Sequence, residues 1–386
     1  MNVLVLGAGL QGSAAAWDLA NSPGVESVLL VDRTREILNR ALQSLPPSRL
    51  DIGTSPADLS DPKTLKELLS SVDACLNALP WFMTLAVAEA CARRGVHYVD
   101  LGGNTDIVQK ILKLDSLARE NSACLVPDCG LAPGMAATVT MAAIEDMDQV
   151  EQVKIRVGGL PQDPRPPLDY ALFFSIHGLV NEYLGEAVQL RDGKIHLQTT
   201  LDDVESLEFP EPVGLCEAFS TLGGASTLPW TLQGRVRNLD YKTLRYPGHA
   251  DKIRMLRDLG FFSETPEEGD AGSPREFTSR ILEKYLTSFE AKDLILFRVD
   301  AEGKQGQRNI HRRFEMMDFF NEEQGMSAMR RTTAFPASIV LQMLARGDAQ
   351  RAGALSLEEA IPARLFLEEL PRRGINLQER VSDSIG

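Results

Sequence analysis

The 386-residue chain is poor in cysteine and histidine, with five of each. The cysteines number an odd five, are scattered along the chain and form no C-x-x-C pair: they are Cys75, Cys91, Cys124, Cys129 and Cys216. Disulfide scaffolds and zinc sites need closer clustering of these residue types. The sequence therefore predicts reduced thiols, a cytoplasmic location and no metal site.

Positive charge and long apolar runs are also scarce. The 40 Lys and Arg residues face 54 Asp and Glu residues, which gives a formal net charge of −14. This balance disfavours nucleic acids and anionic membrane surfaces, because both are bound through cationic side chains. No apolar run approaches the roughly 20 residues of a membrane-spanning helix, and no signal peptide precedes the first strand. We expect a soluble protein that binds neither nucleic acid nor membrane.

What the chain does contain is an alternation of strands and helices over its first third. The pattern predicts strands at 3–6, 28–31, 50–52, 74–79, 97–101 and 123–127. Helices are predicted between them at 13–19, 61–71, 81–94 and 106–121. Strands alternating with helices form a parallel sheet with right-handed crossovers. The predicted fold class is therefore α/β, a doubly wound Rossmann sheet.

The alternation stops after residue 127, which predicts a second, α+β domain inserted into the chain. Strands are expected at 153–157 and 235–246, a hairpin at 294–299 and 311–317, and helices at 171–190 and 250–259. Beyond residue 333, a helix is expected at 335–345, and a second is opened by Ser356 with Glu359 as a capping box. Residues 263–273 are acidic and rich in Pro and Gly, which predicts an exposed mobile loop. The expected domains are 1–130 for dinucleotide binding, 131–330 for substrate binding and dimerisation, and 331–386 for helices that return to the first domain.

A glycine-rich loop follows the first predicted strand and opens a helix. Gly7 permits the tight turn, Gly9 lets the backbone approach a pyrophosphate, and Gly12 allows close helix–strand packing. Asp32 ends the second strand, where a carboxylate accepts hydrogen bonds from ribose hydroxyls and favours NAD. The adjacent Arg33 can accommodate a 2′-phosphate, so NADP stays open. The alternative is a Rossmann domain that binds another nucleotide or none.

Further cofactor contacts are expected at the carboxyl ends of the strands, where such sheets bind ligands. Alternatively, residues such as Asn77 and Gly102 only end their strands. The full set of predicted cofactor contacts is Gly7, Gly9, Leu10, Gln11, Gly12, Asp32, Arg33, Asp58, Leu59, Asn77, Ala78, Leu79, Leu101, Gly102, Gly103 and Pro133.

Motifs along nearly the whole chain resemble the saccharopine dehydrogenase-like superfamily, and most closely its lysine 6-dehydrogenase branch. They lie at 100–103 (DLGG), 127–135 (PDCGLAPGM), 157–161 (VGGLP), 166–170 (PPLDY), 217–219 (EAF), 223–228 (GGASTL), 239–249 (LDYKTLRYPGH) and 331–334 (RTTA). The resemblance implies a Rossmann domain completed by C-terminal residues. It also implies a middle domain that supplies substrate contacts and a dimer interface, so a homodimer or higher homo-oligomer is expected.

The same resemblance implies oxidation of a C–N bond, in which nicotinamide takes a hydride from the carbon that bears the nitrogen and water hydrolyses the imine. The leading hypothesis is NAD-dependent oxidative deamination of the side-chain amine of L-lysine or a close relative. One alternative is a saccharopine or carboxynorspermidine-type reductase that forms or cleaves a secondary amine. A second alternative is a nucleotide-binding protein without catalysis.

This chemistry needs a proton acceptor and an anchor for a carboxylate, because an amine of pKa about 10.4 must lose a proton before hydride leaves. Arg245 is the predicted anchor, unless it pairs with an internal acid. His249 and Lys242 are candidate catalytic groups, although a lone histidine that opens a helix is more often a packed residue. Strand alternation places Lys242 and Arg245 on opposite faces. Tyr246 is a further predicted substrate contact.

Asp128 follows the sixth strand and faces the expected cofactor crevice. It could accept a proton from the substrate, bind the substrate ammonium, or only fix the turn that follows, as Asx residues do. Asp169 and Glu217 are predicted partners for a cationic substrate, against the alternative of unpaired surface acids. Ser175 is a weaker candidate for substrate binding.

Overall fold

The computed structural model describes residues 1–266, 272–349 and 351–383. Part of the predicted loop 263–273, residues 267–271, lies outside the described residues. The first strands are β1 (Asn2–Leu6), β2 (Ser27–Asp32), β3 (Ile52–Pro56), β4 (Ala74–Asn77), β5 (His97–Asp100) and β6 (Cys124–Val126). The helices in this part are α1 (Leu10–Asn21), α2 (Arg35–Gln43), α3 (Pro62–Leu68), α4 (Trp81–Arg94), α5 (Thr105–Leu112), α6 (Asp115–Glu120) and α7 (Met135–Ile144).

These strands build a parallel sheet in the order β6-β5-β4-β1-β2-β3, which confirms the predicted Rossmann fold. β1 lies in its centre, with Val3 opposite Val28 of β2 on one side and Ala74 of β4 on the other. Its apolar run is buried on both faces, as a central parallel strand requires. Asp61 caps α3 by accepting N–H bonds from Lys63 and Thr64, as its position before Pro62 predicts.

The middle of the chain forms a second sheet. Its elements are β7 (Gln149–Pro161), α8 (Ile176–Glu182), β8 (Glu186–Arg191), β9 (Lys194–Thr199), β10 (Glu205–Phe209), β11 (Gly214–Ser220), α9 (Leu228–Thr231), β12 (Val236–Arg245), α10 (His249–Asp258), α11 (Pro274–Leu286), β13 (Asp293–Gln305) and β14 (Arg308–Phe319). The order is β10-β11-β12-β7-β13-β14, and the β8–β9 hairpin attaches to β12. The predicted hairpin is β13–β14.

The C-terminal part reaches both sheets. It contains α12 (Ala328–Arg346), β15 (Gly353–Ala354), α13 (Leu357–Ala360), α14 (Ala363–Glu369) and β16 (Gln378–Asp383). β15 pairs with β6 at the edge of the Rossmann sheet, whereas β16 pairs with β14 in the second sheet. α12 packs on α1, where the rings of Trp17 and Phe335 stack 5.9 Å apart. One buried cluster therefore runs from the Rossmann sheet through α7 and α12 to the second sheet.

Three helix predictions were wrong in detail. The helix expected at 171–190 covers only 176–182, because Gly185 adopts a φ of +88° and the following residues pair as a hairpin. The helix expected at 106–121 breaks into α5 and α6. The helix expected to begin at 335 begins at Ala328, where the Ser327 side chain accepts the N–H of Arg330.

Candidate active site

The glycine-rich loop between β1 and α1 shows a separate steric reason for each glycine. Gly7 has a φ of +94°, and a Cβ there would lie 2.8 Å from the carbonyl oxygen of Ala78. A Cβ on Gly12 would lie 1.9 Å from the carbonyl oxygen of Gly7, so the fold excludes one. A Cβ on Gly9 would meet nothing within 4 Å, and no side chain caps the first turn of α1. Open space therefore lies before an uncapped helix N-terminus, the geometry that binds phosphate groups.

Asp32 and Arg33, the acidic and the cationic residue that bear on the choice between NAD and NADP, lie at the end of β2. Both oxygens of the Asp32 carboxylate accept backbone N–H bonds, from Ala8 at 2.7 Å and from Arg33 at 2.6 Å. Hydrogen bonds from Ser60, together with the Arg33 charge, lower the pKa of Asp58. The side chains of Arg33 and Arg35 are exposed. Asp32 thus ties the phosphate loop to β2, and two exposed cationic side chains follow it in the sequence.

The carboxyl ends of β4 and β5 are held by buried hydrogen bonds. The Asn77 side chain accepts the N–H of Leu79 at 3.2 Å and donates to the Tyr98 hydroxyl at 3.2 Å. Asp100 accepts the N–H of Gly102 at 2.8 Å, and the Tyr98 hydroxyl donates to its other oxygen at 2.8 Å. Burial raises the pKa of Asp100. The network fixes both strand ends at which the sequence predicts further cofactor contacts.

Asp128 lies at the end of β6 and is 5% exposed. It has a φ of +60°, and its N–H donates to Asp100 at 2.9 Å. The Ser226 hydroxyl donates to Oδ2, whereas the buried Oδ1 has no partner among the described residues. Burial and the nearby Asp100 charge raise the pKa of Asp128 to about 8. This carboxyl group can exchange a proton near neutral pH, and one of its oxygens is free to do so.

Arg245 ends β12 in a buried cluster of the second domain. Its Nη1 donates to the Leu244 carbonyl at 2.9 Å, and its Nη2 lies 3.5 Å from Oε2 of Glu182. Its guanidinium lies 4.5 Å from the ring centre of Tyr170, and its buried Nε has no partner in the described part of the chain. Burial, opposed by the Arg245 charge, raises the pKa of Glu182 to about 7. Sequence reasoning missed Glu182, because no local pattern distinguishes it within α8.

His249 is buried beside this cluster and has both ring nitrogens engaged. A carbonyl only accepts, so Nδ1 donates to the Leu168 oxygen at 2.9 Å and Nε2 accepts from the Tyr183 hydroxyl at 2.9 Å. Burial, with the Arg245 charge, lowers the pKa of His249 to about 3. A histidine in this state is neutral at pH 7 and has no free nitrogen. The geometry matches the packed residue that was the alternative to a catalytic base.

Lys242 lies on the opposite face of β12 from Arg245, as strand alternation predicts. Its Nζ donates to the backbone oxygen of Asp203 at 2.7 Å and lies 3.0 Å from that residue's carboxylate. Glu205 contributes a second carboxylate at 3.8 Å. The structure therefore does not bring the Lys242 side chain together with Asp128 or Arg245.

Three of the four other predicted substrate contacts have partners within the second domain. Glu217 accepts the N–H groups of Gly248 at 2.8 Å and of Ala250 at 2.6 Å, which caps α10. Asp169 pairs with Lys252 at 3.2 Å, and the Tyr246 hydroxyl donates to the Pro161 carbonyl at 2.9 Å. Ser175 precedes α8 without a capping side-chain bond. Substrate contacts by these four residues stay predictions.

The segment 221–228 connects the two halves of the candidate site. Its Ser226 donates to Asp128, and Gly224 lies so close to Tyr241 that a Cβ would approach the ring to 2.1 Å. On β12 the hydroxyl of Thr243 donates to that of Tyr241 at 3.4 Å, two residues before Arg245. The segment 221–228 therefore contacts both Asp128 of the Rossmann domain and β12, the strand that ends in Arg245.

Among the described residues, no three His, Cys, Asp or Glu side chains are grouped to hold a metal ion. None of the helices in the described ranges combines the length and hydrophobicity needed to cross a membrane.

Two protein-family models match the chain and divide it between them. The Saccharopine dehydrogenase NADP binding domain matches residues 3–126, and the Saccharopine dehydrogenase C-terminal domain matches residues 130–375. The boundary between the two matches falls beside Asp128.

Curated relatives carry related names at low identity. Saccharopine dehydrogenase [NADP(+), L-glutamate-forming] of Pyricularia oryzae is 22% identical over 341 residues, which cover 83% of this chain and 72% of that protein. The enzyme of the same name in Schizosaccharomyces pombe is 24% identical, over 62% of this chain and 55% of its own length. Mitochondrial alpha-aminoadipic semialdehyde synthase of Mus musculus is 20% identical over 91% of this chain, which spans only 44% of that protein.

Among solved structures, apo saccharopine dehydrogenase (L-Glu forming) from Saccharomyces cerevisiae superposes with a TM-score of 0.79. The alignment covers 99% of both chains at 17% sequence identity, which shows a shared fold.

Proposed function

Because the chain belongs to the saccharopine dehydrogenase family, we propose that it is a nicotinamide-dependent oxidoreductase that forms or cleaves the secondary amine of a saccharopine-type amino acid. The named relatives support this alternative rather than the leading hypothesis of lysine 6-dehydrogenase activity. The single observation that carries the catalytic part of the proposal is the buried Oδ1 atom of Asp128, which has no hydrogen-bond partner among the described residues.

We propose NADP(H) as the cofactor, in place of the NAD that Asp32 suggested. The matching N-terminal family model is an NADP binding domain. Both oxygens of Asp32 already accept backbone N–H bonds, which weakens the argument that this carboxylate serves mainly to select NAD. Arg33 and Arg35 are exposed beside it, and a guanidinium can bind the 2′-phosphate through paired hydrogen bonds.

The residues present fit this cofactor. The space before Gly9 and the uncapped first turn of α1 suit the pyrophosphate. The ends of β4 and β5 would hold the nicotinamide half, consistent with where doubly wound sheets bind ligands. When bound, the nicotinamide supplies a hydride acceptor or donor.

Asp128 would move the proton. At neutral pH a secondary amine carries a proton, as the lysine amine of pKa about 10.4 does, and its nitrogen has no lone pair to assist hydride loss. The free Oδ1 of Asp128 accepts that proton when the carboxyl group is ionised. Its pKa of about 8 makes both protonation states accessible, so the same group can return the proton in the reductive direction. Water then hydrolyses the imine to an amine and an aldehyde.

Arg245 and Glu182 would bind an amino-acid end of the substrate. The Arg245 guanidinium and the Glu182 carboxyl group lie 3.5 Å apart, and the Nε of Arg245 has no partner in the described part of the chain. A guanidinium matches an α-carboxylate bidentately, and a neighbouring carboxylate matches the α-ammonium group. The pair is therefore complementary to a zwitterion, which supports an amino-acid substrate over a simple polyamine.

A spectrophotometric assay tests the proposal. Purified protein is incubated with L-saccharopine and NADP⁺, and the growth of reduced-nicotinamide absorbance is followed together with glutamate release. L-lysine with NAD⁺ or NADP⁺, followed by ammonia release, is the matched comparison. We expect turnover of saccharopine and little of lysine. Turnover of lysine with ammonia in step would restore lysine 6-dehydrogenase, and cofactor binding without turnover of any amine would favour the non-catalytic alternative.

A further inference from the structure

Arg330 brings a charge from the C-terminal helix to the phosphate loop. It lies in the first turn of α12 and is 6% exposed. Its Nε donates to the Leu10 carbonyl at 3.1 Å, and its Nη2 donates to the Ser13 hydroxyl at 3.0 Å. Both partners belong to the first turn of α1. More than 300 residues of chain separate Arg330 from this turn, so the contact exists only in the folded protein.

In the described part of the chain, no carboxylate balances this guanidinium. Within the described ranges no Asp or Glu oxygen lies within 4.0 Å of Arg330, whereas the adjacent Arg331 pairs with Asp318 at 2.7 Å. Burial lowers the pKa of Arg330, with no neighbouring acid to oppose it. The position is doubly unfavourable for a cation, because the N-terminal end of α1 is itself the positive end of a helix dipole. A buried unpaired charge is costly unless something neutralises it.

We propose that Arg330 is a ligand of the cofactor's pyrophosphate, which supplies the missing negative charge. The two hydrogen bonds to α1 use Nε and one N–H of Nη2, and the remaining guanidinium N–H groups are available to phosphate oxygens. A pyrophosphate in the space before Gly9 would meet Arg330 and the N–H groups of α1 together. This inference rests on the proposed function only in that a dinucleotide binds at the loop.

Arg33 and Arg330 would bind different parts of the cofactor. Arg33 follows β2, beside Asp32, where it would recognise the 2′-phosphate that NADPH has and NADH lacks. Arg330 lies at the first turn of α1, where both cofactors carry the same pyrophosphate. Loss of Arg330 should therefore weaken NADPH and NADH equally, and loss of Arg33 should weaken NADPH alone.

The experiment measures dissociation constants for NADPH and NADH by fluorescence titration, and melting temperatures without ligand. The variants are Arg330→Gln, Arg330→Lys, Arg33→Gln and, as a control on the same helix, Arg346→Gln. Arg346 lies in the last turn of α12 and pairs with Asp348 at 3.0 Å. Arg330→Gln should weaken both cofactors about tenfold or more, as expected for a lost bond to a charged group. Arg330→Lys should recover part of that loss, and Arg346→Gln should change neither affinity.

The melting temperature of ligand-free Arg330→Gln should be no lower than that of the wild type, because the variant removes an unbalanced buried cation. Unchanged affinity for both cofactors in Arg330→Gln, alone or with a lower melting temperature, would overturn the inference and leave a structural role. Wild-type protein that binds neither nucleotide would refute the proposed function itself, a result distinct from a failure of Arg330.

Discussion

Asp128→Asn tests the proton transfer that amine oxidation requires. The substitution keeps the shape of the side chain and its contact with Ser226 but removes the ionisable group. With a pKa of about 8, the carboxyl group is ionised to about 9% at pH 7 and about 91% at pH 9. If the ionised form accepts the substrate proton, kcat/KM for oxidation should rise about tenfold between these pH values.

The asparagine variant should lose this rise and about 10²- to 10⁴-fold of activity, the usual contribution of a general base. The assay is initial-rate absorbance of the reduced cofactor from pH 6 to 10, with cofactor affinity measured separately. Ser226→Ala is the matched control. It keeps the carboxyl group but removes a hydrogen bond that lowers its pKa, so the midpoint should move above 8. A variant that keeps wild-type activity and the same pH profile would refute the assignment.

The same pKa makes a prediction for stability. The folded pKa of Asp128 lies above the ordinary value of 3.8, so the folded protein binds this proton more tightly than the unfolded chain does. The resulting contribution to the free energy of unfolding is complete below about pH 4 and is lost as the pH rises through about 8. Denaturant unfolding from pH 5 to 9 should show this decline in the wild type and a shallower one in Asp128→Asn.

Four further substitutions test the phosphate loop, the choice of cofactor and the cap of α10. Gly9→Ala should leave the melting temperature unchanged and weaken cofactor binding, because its Cβ enters open space. Gly12→Ala should instead lower the melting temperature, because its Cβ would collide with the Gly7 carbonyl. Thermal melts and fluorescence titration distinguish the two effects. Arg33→Gln should lower the preference for NADPH over NADH, measured as the ratio of the two dissociation constants, and an unchanged ratio would contradict the NADP assignment. Glu217→Ala should reduce the free energy of unfolding by about 1 kcal/mol in chemical denaturation, because α10 loses its cap.

The Rossmann half of the fold could be predicted from sequence because its signals are local. A buried parallel strand such as β1 is a short apolar run in the sequence, and Asp61-Pro62 indicates the start of a helix. The two-residue strand β15 carries no such signal, since it forms only by pairing with β6. The second domain was harder, because the positive φ of Gly185 and the hairpin beyond it divide what resembled one helix.

In the candidate site, the sequence predicted the positions of residues better than it predicted their pKa values and contacts. Asp128 was predicted from its place after a strand, but its raised pKa comes from burial and from the Asp100 charge. The hydrogen bond from Ser226, 98 residues away, opposes that rise. An unperturbed histidine has a pKa suited to a base near neutral pH, but burial beside Tyr183 lowers the pKa of His249 to about 3. Arg330 was missed altogether, because its partners belong to the opposite end of the chain. Such environments come from tertiary packing, which no local pattern reports.

The most direct test of the central claim follows the bridging nitrogen of the substrate. Saccharopine labelled with ¹⁵N at the secondary amine is incubated with the protein and NADP⁺, and the products are separated by mass spectrometry. If the protein cleaves saccharopine to glutamate, the ¹⁵N label appears in glutamate. The labelled glutamate is then equimolar with the reduced cofactor, and no labelled ammonia forms. Label in lysine would show cleavage of the other C–N bond, and no turnover of labelled saccharopine alongside ammonia release from L-lysine would contradict the proposed reaction.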